Sequence, residues 1–315
     1  MNRGLRTVLE VRAEVTSSIR RFFAERNVLE VDTPALSIAA ATDPALASFG
    51  VEVSSLGRHY LHTSPEHAMK RLLTEGCGDI FQIARVFRDG EHGRWHQPEF
   101  LLLEWYRVGF DEMRLMDEVH ALLERLLAPG IPDLQRLDLS YRQAFTPIID
   151  VDPLTLDDEA TDKLNEALAS AGIDVPREID ADALLDLALS TLIVPRWPRD
   201  TAVFLYDYPQ SQAALAAIKP DTEPVAARFE VFVNGLELGN GFRELTDAAE
   251  QRRRFEADLA KRREAGQAEP PIDEAFLDAL EQGLPDCAGI AVGIDRLIAV
   301  MTDADSLSDV LTFAH

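Results

Sequence analysis

Two arginines occupy positions where an unpaired cation would be costly unless it had a ligand. Arg88 ends the run IFQIARVFR on its polar side, and Arg296 falls in the first turn of the last helix that the sequence predicts. A cation at a helix N-terminus opposes the helix dipole, and such departures from local preference concentrate at functional sites. The planar guanidinium group of arginine is well matched to phosphate. The pair therefore predicts binding of a phosphorylated substrate, with surface ion pairs as the alternative interpretation.

Glutamates provide the second set of candidate groups. Glu237 and Glu244 flank the sequence GNGF, and residues seven apart on a regular strand face opposite sides. A bulge supplied by Gly239 and Gly241 would turn one of them, so that both carboxylates face one cavity. There they would hold Mg²⁺, which prefers carboxylate and phosphate oxygens together. The alternative is a pair of exposed acids at the end of a hairpin.

Glu104 is a different case, because it lies inside the apolar run LLLEWY. A carboxylate in such a run needs a buried partner. The neighbouring sequence offers none, so we expect a cationic ligand to balance its charge.

Helices and strands that must position these groups follow from the spacing of apolar residues. The pattern predicts an amphipathic helix over 5–23, a short strand over 28–34 and a second helix over 65–73. Period-two alternation predicts strands over 80–88, 100–106 and 201–209. Asn234-Gly235 predicts the turn of a hairpin over 228–242, and a helix from about Asp295 follows the final strand AGIAVG.

This arrangement favours an α+β fold, an antiparallel sheet flanked by helices, over a doubly wound parallel sheet. We expect one domain over 1–315 that contains an acidic, mainly helical insertion over 133–200. Neither GxxxxGK[ST] nor GxGxxG after a strand is present, so a nucleotide would be bound by another route.

Composition restricts the classes of partner. The 315 residues carry a net charge of −24, with 55 acidic and 31 basic side chains. Because nucleic-acid binding depends largely on neutralising phosphates, we expect no stable tRNA binding. The one obvious basic patch is QRRRFEADLAKRR at 251–263. Two cysteines, no signal peptide and no long apolar run predict a cytoplasmic protein without a membrane span.

Several of these segments together resemble the class II aminoacyl-tRNA synthetases. RNVLEVDTPAL resembles motif 1, FRDGEHGRWHQPEF followed by LLLEWY resembles motif 2, and GIAVGIDRL resembles motif 3. The stretches TSPEHAMKRLL, HQPEFLLLEWY and ELGNGFRELTD are similar to the lysyl branch. Motif 1 begins almost at residue 20, so we expect no N-terminal anticodon-binding OB domain. That shape resembles the truncated lysyl-synthetase paralogues that attach a β-lysyl group to a lysine of elongation factor P.

The resemblance implies a nucleotide site. Arg88 would hold the α-phosphate of ATP, Arg296 the γ-phosphate, and Phe100 would stack on adenine; the two arginines are the catalytic candidates. Glu237 and Glu244 would hold Mg²⁺. The remaining implied ATP-binding residues are Asp89, Gly90, Glu91, His96, Gln97, Leu238 and Gly293. Two positions depart from the family pattern. Gly90 stands where the glutamate of the usual Arg-x-Glu would be, and Gln97 replaces an asparagine.

The same resemblance implies an amino-acid site. Glu66, Glu104 and Tyr106 would bind the two ammonium groups of a lysine-like substrate, and Asn240 its carboxylate. Ala291 stands where lysyl-tRNA synthetases generally carry glycine, and we expect its methyl group to disfavour α-lysine relative to β-lysine. The alternative is an alanine that packs there without consequence. Ser64, Pro65 and Glu244 complete the implied set.

The implied activity is adenylation of (R)-β-lysine or lysine, followed by transfer to a lysine of elongation factor P. Two alternatives stay open: a lysine-activating ligase with another acceptor, and a catalytically silent regulatory paralogue. We also expect a homodimer, formed through the apolar stripe of the helix over 5–23, and docking of the acceptor through the basic segment 251–263.

Overall fold

A large, mostly antiparallel sheet forms the floor on which the candidate residues lie. The computed structural model describes residues 5–176, 179–219 and 223–313. The strands of the large sheet are β1 (Leu29–Glu30), β5 (Ile80–Phe87), β6 (Glu99–Val108), β7 (Gln135–Ser140), β8 (Thr201–Pro209), β9 (Ile218–Lys219), β10 (Val225–Val233), β11 (Leu236–Arg243) and β12 (Cys287–Gly293). A second sheet has β2 (Leu36–Ser37), β3 (Gly50–Val53) and β4 (Gly57–Leu61).

The order of the large sheet is β1-β5-β6-β12-β11-β10-β8-β7, with β9 paired to β10. The four central strands, β6, β12, β11 and β10, are antiparallel to one another. Parallel pairing occurs where β1 meets β5 and where β7 meets β8. The sheet therefore brings motifs from distant parts of the chain side by side.

Helices pack on both faces of the large sheet but leave part of one face open. They are α1 (Leu5–Ala24), α2 (Glu66–Thr74), α3 (Glu112–Leu127), α4 (Tyr141–Ile149), α5 (Asp158–Ser170), α6 (Ala181–Ala188), α7 (Ala248–Glu264), α8 (Glu274–Gly283) and α9 (Ile294–Met301). Short turns of other helical types cover Leu189–Ile193 (π) and Val194–Arg196, Gln210–Gln212 and Leu307–Asp309 (3₁₀).

The largest hydrophobic core lies between the sheet and helices α1, α3 and α9. Phe23 of α1 stacks on Phe81 at 4.5 Å between ring centroids, and the Trp105 ring lies 5.3 Å from Phe23. A second core lies between the insertion helices and strands β8 and β10. A third contains residues of α2, α7 and α8 together with residues of β5, β6 and β12. The open face between these groups of helices holds the candidate site.

The α+β prediction is confirmed, and the longer predicted elements match the structure closely. Helix α1 spans Leu5–Ala24 against a predicted 5–23, and Val8, Val15, Ile19, Phe22 and Phe23 of its apolar stripe are buried. The hairpin turn falls at Asn234 and Gly235, whose φ angles of 53° and 78° are those a tight hairpin turn requires. The final helix begins at Ile294, one residue from the predicted start.

Two boundaries differ from the prediction. The strand predicted over 28–34 is reduced to Leu29–Glu30, since only this part pairs with β5 as a ladder. The expected insertion over 133–200 includes β7, which lies at the edge of the large sheet; the helical part begins at Tyr141. Among the described residues, no helix combines the length and the hydropathy needed to cross a membrane.

Candidate active site

Strand pairing aligns side chains in a row across the open face of the sheet. The residues in this row, each paired with the next, are Gln82, Glu104, Ala291, Asn240 and Glu230. Because neighbouring strands lie about 4.8 Å apart, the backbones of Glu104 and Asn240 are about 10 Å apart. An extended lysine measures about 7–8 Å from its terminal nitrogen to its carboxyl carbon, given ordinary bond lengths. The row therefore has the length to hold such a chain between a carboxylate and an amide.

The adjacent row carries Tyr106, Gly289, Phe242 and Arg228 on the same face. A Cβ atom at Gly289 would lie 2.4 Å from the Tyr106 ring and 2.7 Å from Glu244 Oε1. Glycine is thus required here so that the tyrosine and the glutamate can meet over the strand.

Ten of the predicted site residues line one open cavity of 1290 Å³. That volume exceeds the 300–1,000 Å³ typical of sites for one small molecule, so it suits two reactants at once. The predicted residues in its wall are Ser64, Pro65, Glu66, Arg88, Glu104, Tyr106, Glu237, Asn240, Glu244 and Ala291.

Glu104 lies at one end of the row and is 2% exposed. Ser64 Oγ donates to its Oε2 at 2.6 Å, and the Tyr106 hydroxyl donates to its Oε1 at 2.7 Å. Burial raises the pKa of the Glu104 carboxyl to about 7, and the nearby Glu66 carboxylate adds to the rise. A bound cation would lower this pKa and keep Glu104 ionised. The sequence predicts such a cationic ligand.

A residue that the sequence reasoning missed, Lys70, is central to this end of the site. It is 1% exposed, and its Nζ lies 2.7 Å from Glu66 Oε1 and 2.5 Å from Glu244 Oε2. Burial alone would lower the pKa of Lys70, but the Glu244 and Glu66 carboxylates outweigh it and raise that pKa. Lys70 is therefore charged, and it ties α2 to the residue that follows β11.

The charges at this end do not cancel. Glu66, Glu104 and Glu244 carry three negative charges when ionised, and Lys70 supplies one positive charge within the described part of the chain. Burial raises the pKa of Glu104 to about 7 and that of Glu244 to about 8, so a cationic ligand favours ionisation of both, and two negative charges are then left for it to balance. A molecule with two ammonium groups meets this requirement.

Glu237 reaches the open face through a β-bulge. Val231 pairs with Gly239 but the next residue, Phe232, pairs with Glu237, so Leu238 is the extra residue. Its side chain turns into the core and is 2% exposed. The bulge places Glu237 on the same side as Asn240 and Glu244, as predicted, although not at the predicted residues.

Gly239 and Gly241 have another purpose than the bulge. A Cβ at Gly239 would lie 2.7 Å from the carbonyl oxygen of Ala291, and one at Gly241 would lie 2.7 Å from Ile290 Cβ. Both glycines let β11 and β12 approach closely over the core.

Arg88 and Phe100 lie together beside the cavity. The Arg88 guanidinium carbon lies 5.1 Å from the Phe100 ring centroid, and its Nη1 lies 3.4 Å from Glu91 Oε1. Gly90 has φ +80°, a conformation that other residues rarely adopt, and this turn returns Glu91 to Arg88. The departure at Gly90 therefore leaves a carboxylate next to the arginine, one residue later in the chain.

Arg296 is held by motif 2 and β11. Its Nη2 lies 2.9 Å from His96 Nε2, its Nε donates to the Trp95 carbonyl at 3.2 Å, and its Nη1 donates to the Glu237 carbonyl at 3.0 Å. A Cβ at Gly293 would lie 3.8 Å from the Arg296 side chain. The guanidinium is thus positioned beside Glu237, which lines the cavity.

The other predicted nucleotide residues lie outside the cavity wall. They are Asp89, Gly90, Glu91, His96, Gln97, Phe100, Leu238, Gly293 and Arg296. Asp89 donates its backbone N–H to the Ala47 carbonyl at 2.8 Å, and Gln97 is buried. Since the Leu238 side chain is in the core, only its backbone is available to a ligand.

Glu230 and Arg228 of β10 also escaped the sequence reasoning, because a strand of alternating residues gives no sign of their neighbours. Arg228 Nη2 lies 2.6 Å from Glu230 Oε1, and its Nε donates to Asn240 Oδ1 at 3.2 Å. That bond leaves the amide N–H groups of Asn240 to donate to a ligand. Burial raises the pKa of Glu230 to about 7, opposed by Arg228 and increased by Glu237.

Two carboxylates that repel each other on one open face are suited to a divalent cation, so Glu230 and Glu237 fit Mg²⁺. Glu230 has a cationic partner, Arg228, but lies beside Glu237. Glu244 fits the ion less well, because it is 2% exposed and lies beside Lys70, Glu66 and Glu104 instead. No group of three or more His, Cys, Asp or Glu side chains in the described ranges has the arrangement of a metal site. Mg²⁺ does not need such a group, since substrate phosphates complete its coordination.

The basic segment 251–263 is unsuited to the docking role that the sequence suggested. Arg262 is 7% exposed and donates to the carbonyls of Thr42 and Asp43 at 2.7 Å each. The other four arginines of the segment pair with acids of this chain: Arg252 with Glu274, Arg253 and Arg254 with Glu250, and Arg263 with Glu269. The positive charge is largely neutralised within the protein.

A mostly antiparallel sheet flanked by helices, with one arginine from each of two motifs beside a cavity lined by glutamates, is the arrangement of a class II synthetase catalytic domain. The chain belongs to the family described as tRNA synthetases class II (D, K and N), whose family model matches residues 1–315.

Within this family, the chain is similar to proteins named elongation factor P--(R)-beta-lysine ligase. It is 47% identical to the protein from Salmonella gallinarum over 310 residues, which are 96% of this chain and 93% of that protein. It is 46% identical over 314 residues to the protein of the same name from Vibrio atlanticus, covering 97% of this chain and 94% of the relative. The protein of that name from Edwardsiella ictaluri is 47% identical over 308 residues, 96% of this chain and 93% of its own.

Binding of lysine should weaken as the pH falls through 7. Glu104 has a raised pKa of about 7, so it is ionised above this pH and protonated below it. Only the ionised form attracts an ammonium group, so the dissociation constant should rise by roughly tenfold for each pH unit below the pKa. Calorimetric titration with lysine between pH 5.5 and pH 8.5, both values about one and a half units from that pKa, measures this dependence.

Glu104→Gln is the matched control, since it keeps the shape of the side chain and removes its titration. The variant should bind lysine weakly and with a shallower dependence on pH than the parent, because burial raises the pKa of Glu244 in the same pocket to about 8 and that group still titrates. An equally steep dependence in Glu104→Gln would assign the titration to another group.

Proposed function

We propose that this protein activates (R)-β-lysine, or lysine, with ATP as an aminoacyl-adenylate and transfers it to a lysine side chain of elongation factor P. One observation carries the proposal: the row that aligns Glu104, Ala291 and Asn240 has the length and charge of a lysine-like acid. The names of relatives at 46–47% identity support the choice of substrate and acceptor. An acceptor of this kind belongs to the cytoplasm, where we propose that the protein acts.

In the first step, a carboxylate oxygen of the amino acid attacks the α-phosphorus of ATP. The bond from this phosphorus to the bridging oxygen breaks, and pyrophosphate leaves with the electron pair. Asn240 orients the carboxylate, and Arg88 and Arg296 stabilise the negative charge that develops on the phosphates. Catalysis of this kind depends on positioning and charge, so no side-chain base is required.

Glu237 and Glu230 would hold Mg²⁺ beside the phosphates, with Glu244 assigned to the amino-acid side through Lys70. When bound, the ion neutralises phosphate charge. Phe100, which already contacts Arg88, offers its ring to adenine. Glu91 and the backbone around it border the same position.

In the second step, a neutral amine nitrogen of the acceptor attacks the carbonyl carbon of the mixed anhydride. The new N–C bond replaces the C–O bond to phosphate, AMP leaves with the electron pair, and the nitrogen loses one proton. The net charge of −24 favours a protein acceptor over tRNA, since it repels a polyanion at long range.

We further propose a homodimer, but not through the surface that the sequence suggested. The stripe residues Val8, Val15, Ile19, Phe22 and Phe23 of α1 are buried within this chain, at most 6% exposed. Leu9 and Leu29 are the large apolar side chains of this region that stay exposed, at 46% and 56%. Light scattering should give twice the chain mass of 35.0 kDa, and Leu29→Asp should shift it toward the monomer; a parent that is monomeric at micromolar concentration would contradict the proposal.

Substitution of either phosphate arginine should impair adenylation strongly. Arg88→Ala and Arg296→Ala should each raise the activation free energy by about 2–4 kcal/mol, as the loss of a preorganised electrostatic donor does. The measurement is pyrophosphate exchange that depends on added (R)-β-lysine.

Arg85→Ala is a suitable control, because Arg85 lies on the same strand but is exposed and pairs with Glu99. Exchange within about threefold of the parent in either phosphate-arginine variant would contradict the roles. Transfer assays with elongation factor P and with tRNA, run in parallel, separate the proposed acceptor from the alternative one.

Ala291 should influence the choice between lysine isomers. It lies between Glu104 and Asn240 in the row, so its methyl group faces the middle of the bound chain. One methyl group in a pocket is worth roughly 1–3 kcal/mol of discrimination. In Ala291→Gly the ratio of kcat/KM for α-lysine to that for β-lysine should rise at least several-fold, or about 1 kcal/mol.

Ala288→Gly provides the comparison, since Ala288 is on the same strand but is fully buried in the core on the opposite face. If both variants leave the isomer ratio unchanged, selectivity depends on other residues of the pocket.

A further inference from the structure

A second polar surface lines the same cavity on the side of the insertion. Asp182 and Asp186 are four residues apart on α6, and both face the cavity. Ser211 Oγ donates to Asp182 Oδ1 at 2.7 Å, and Gln212 Nε2 donates to Asp186 Oδ1 at 3.0 Å. These four residues, Asp182, Asp186, Ser211 and Gln212, are called the insertion subsite below.

Gln212 carries an acceptor that lacks a donor. The residue is 9% exposed, and its Nε2 also lies 3.3 Å from the backbone carbonyl of Asp182. Because the amide nitrogen is committed to two oxygens, the orientation of the amide group is fixed. Its Oε1 has no hydrogen-bond partner among the described residues. A ligand that donates hydrogen bonds would satisfy it.

The charge of the insertion subsite is only partly offset, because Arg228 acts on the Asp186 carboxylate through space without forming an ion pair with it. In the described ranges, no lysine, arginine or histidine forms an ion pair with Asp182 or Asp186; Arg228, the nearest strand arginine, pairs with Glu230 at 2.6 Å. Like charges four residues apart destabilise a helix. The surface therefore repels phosphates and favours a cation.

The insertion subsite lies next to the point where the second step takes place. Arg228 donates to the Gln212 carbonyl at 2.6 Å through Nη1 and to Asn240 Oδ1 at 3.2 Å through Nε. One side chain thus separates the subsite from Asn240, beside which the activated carboxyl group would lie. The ammonium partner Glu104 is on the other side of Asn240, beyond Ala291.

Helix α6 leads directly into a π-helical turn, Leu189–Ile193. Such wide turns occur mostly as single insertions and often at functional sites. Leu189 and Ser190, at its start, also line the cavity. The insertion therefore forms part of the cavity wall.

We propose that the insertion subsite binds the side-chain ammonium group of the acceptor lysine. An ammonium group has three donors, and Asp182, Asp186 and Gln212 Oε1 supply three acceptors. The inference rests on the proposed function, and it adds the place where the acceptor ammonium group is held before one of its protons passes to an aspartate of the subsite and the neutral amine attacks. Two substrates with like-charged ends are thereby kept apart, one at Glu104 and one at α6.

The test separates the two steps of the reaction. Asp182→Asn combined with Asp186→Asn should raise the KM for elongation factor P at least about tenfold, as the loss of partners to a bound charge does. Pyrophosphate exchange with (R)-β-lysine should stay within about twofold of the parent, because the first step does not use this surface. Formation of β-lysyl hydroxamate with hydroxylamine, a small neutral acceptor, should likewise be unchanged.

The matched control is Asp162→Asn combined with Glu166→Gln, two exposed acids four residues apart on α5 of the same insertion. It changes the charge of the insertion equally and should leave all three measurements unchanged. An unaltered KM for elongation factor P in the Asp182/Asp186 variant would overturn the proposal, and so would a parallel loss of pyrophosphate exchange. A parent protein that exchanges pyrophosphate but transfers nothing to elongation factor P would overturn the proposed function instead.

Discussion

Uncompensated negative charge at the buried end of the sheet row is the constraint on which the site depends. Lys70 balances one of three carboxylates, and it does so from a position with almost no exposure to water. Without Lys70, Glu66 and Glu244 would face each other with no cation between them, and burial of this kind is strongly destabilising. With Lys70 present, two negative charges of the site remain uncompensated, and a diamine acid would balance them. Selectivity for such a substrate follows from charge before any detail of shape is considered.

In-register pairing of four antiparallel strands fixes the distances between the polar groups of the site. Glu104, Ala291, Asn240 and Glu230 come from four strands, and each is in register with the next. Their separation is set by backbone hydrogen bonds, which vary little, rather than by flexible side chains. The length of the bound molecule is therefore fixed by the sheet, whereas its charged ends are recognised by individual residues.

Local sequence patterns were sufficient for the elements and for the residues that stand in motifs. The period of α1, the Asn234-Gly235 turn and the misplaced charge of Glu104 each have a cause within a few residues of the chain. For Lys70 the sequence shows only its position four residues after Glu66 on the predicted helix; its burial and its pairing with Glu244 depend on tertiary packing. Glu230 was missed for the same reason, since only the pairing of β10 with β11 brings it near Glu237.

The two faces of strand β12 have different surroundings. Ala288, Ile290 and Val292 point into the core, while Gly289, Ala291 and Gly293 face the open side with one methyl group among them. Arg88 and Arg296, which we propose to bind the phosphates, lie on other segments of the chain. A change of amino-acid substrate is therefore open to evolution through single-carbon adjustments on one strand, without disturbing either the hydrophobic core or the machinery of adenylation. This separation lets a common catalytic domain diversify in what it activates while its energy source stays the same.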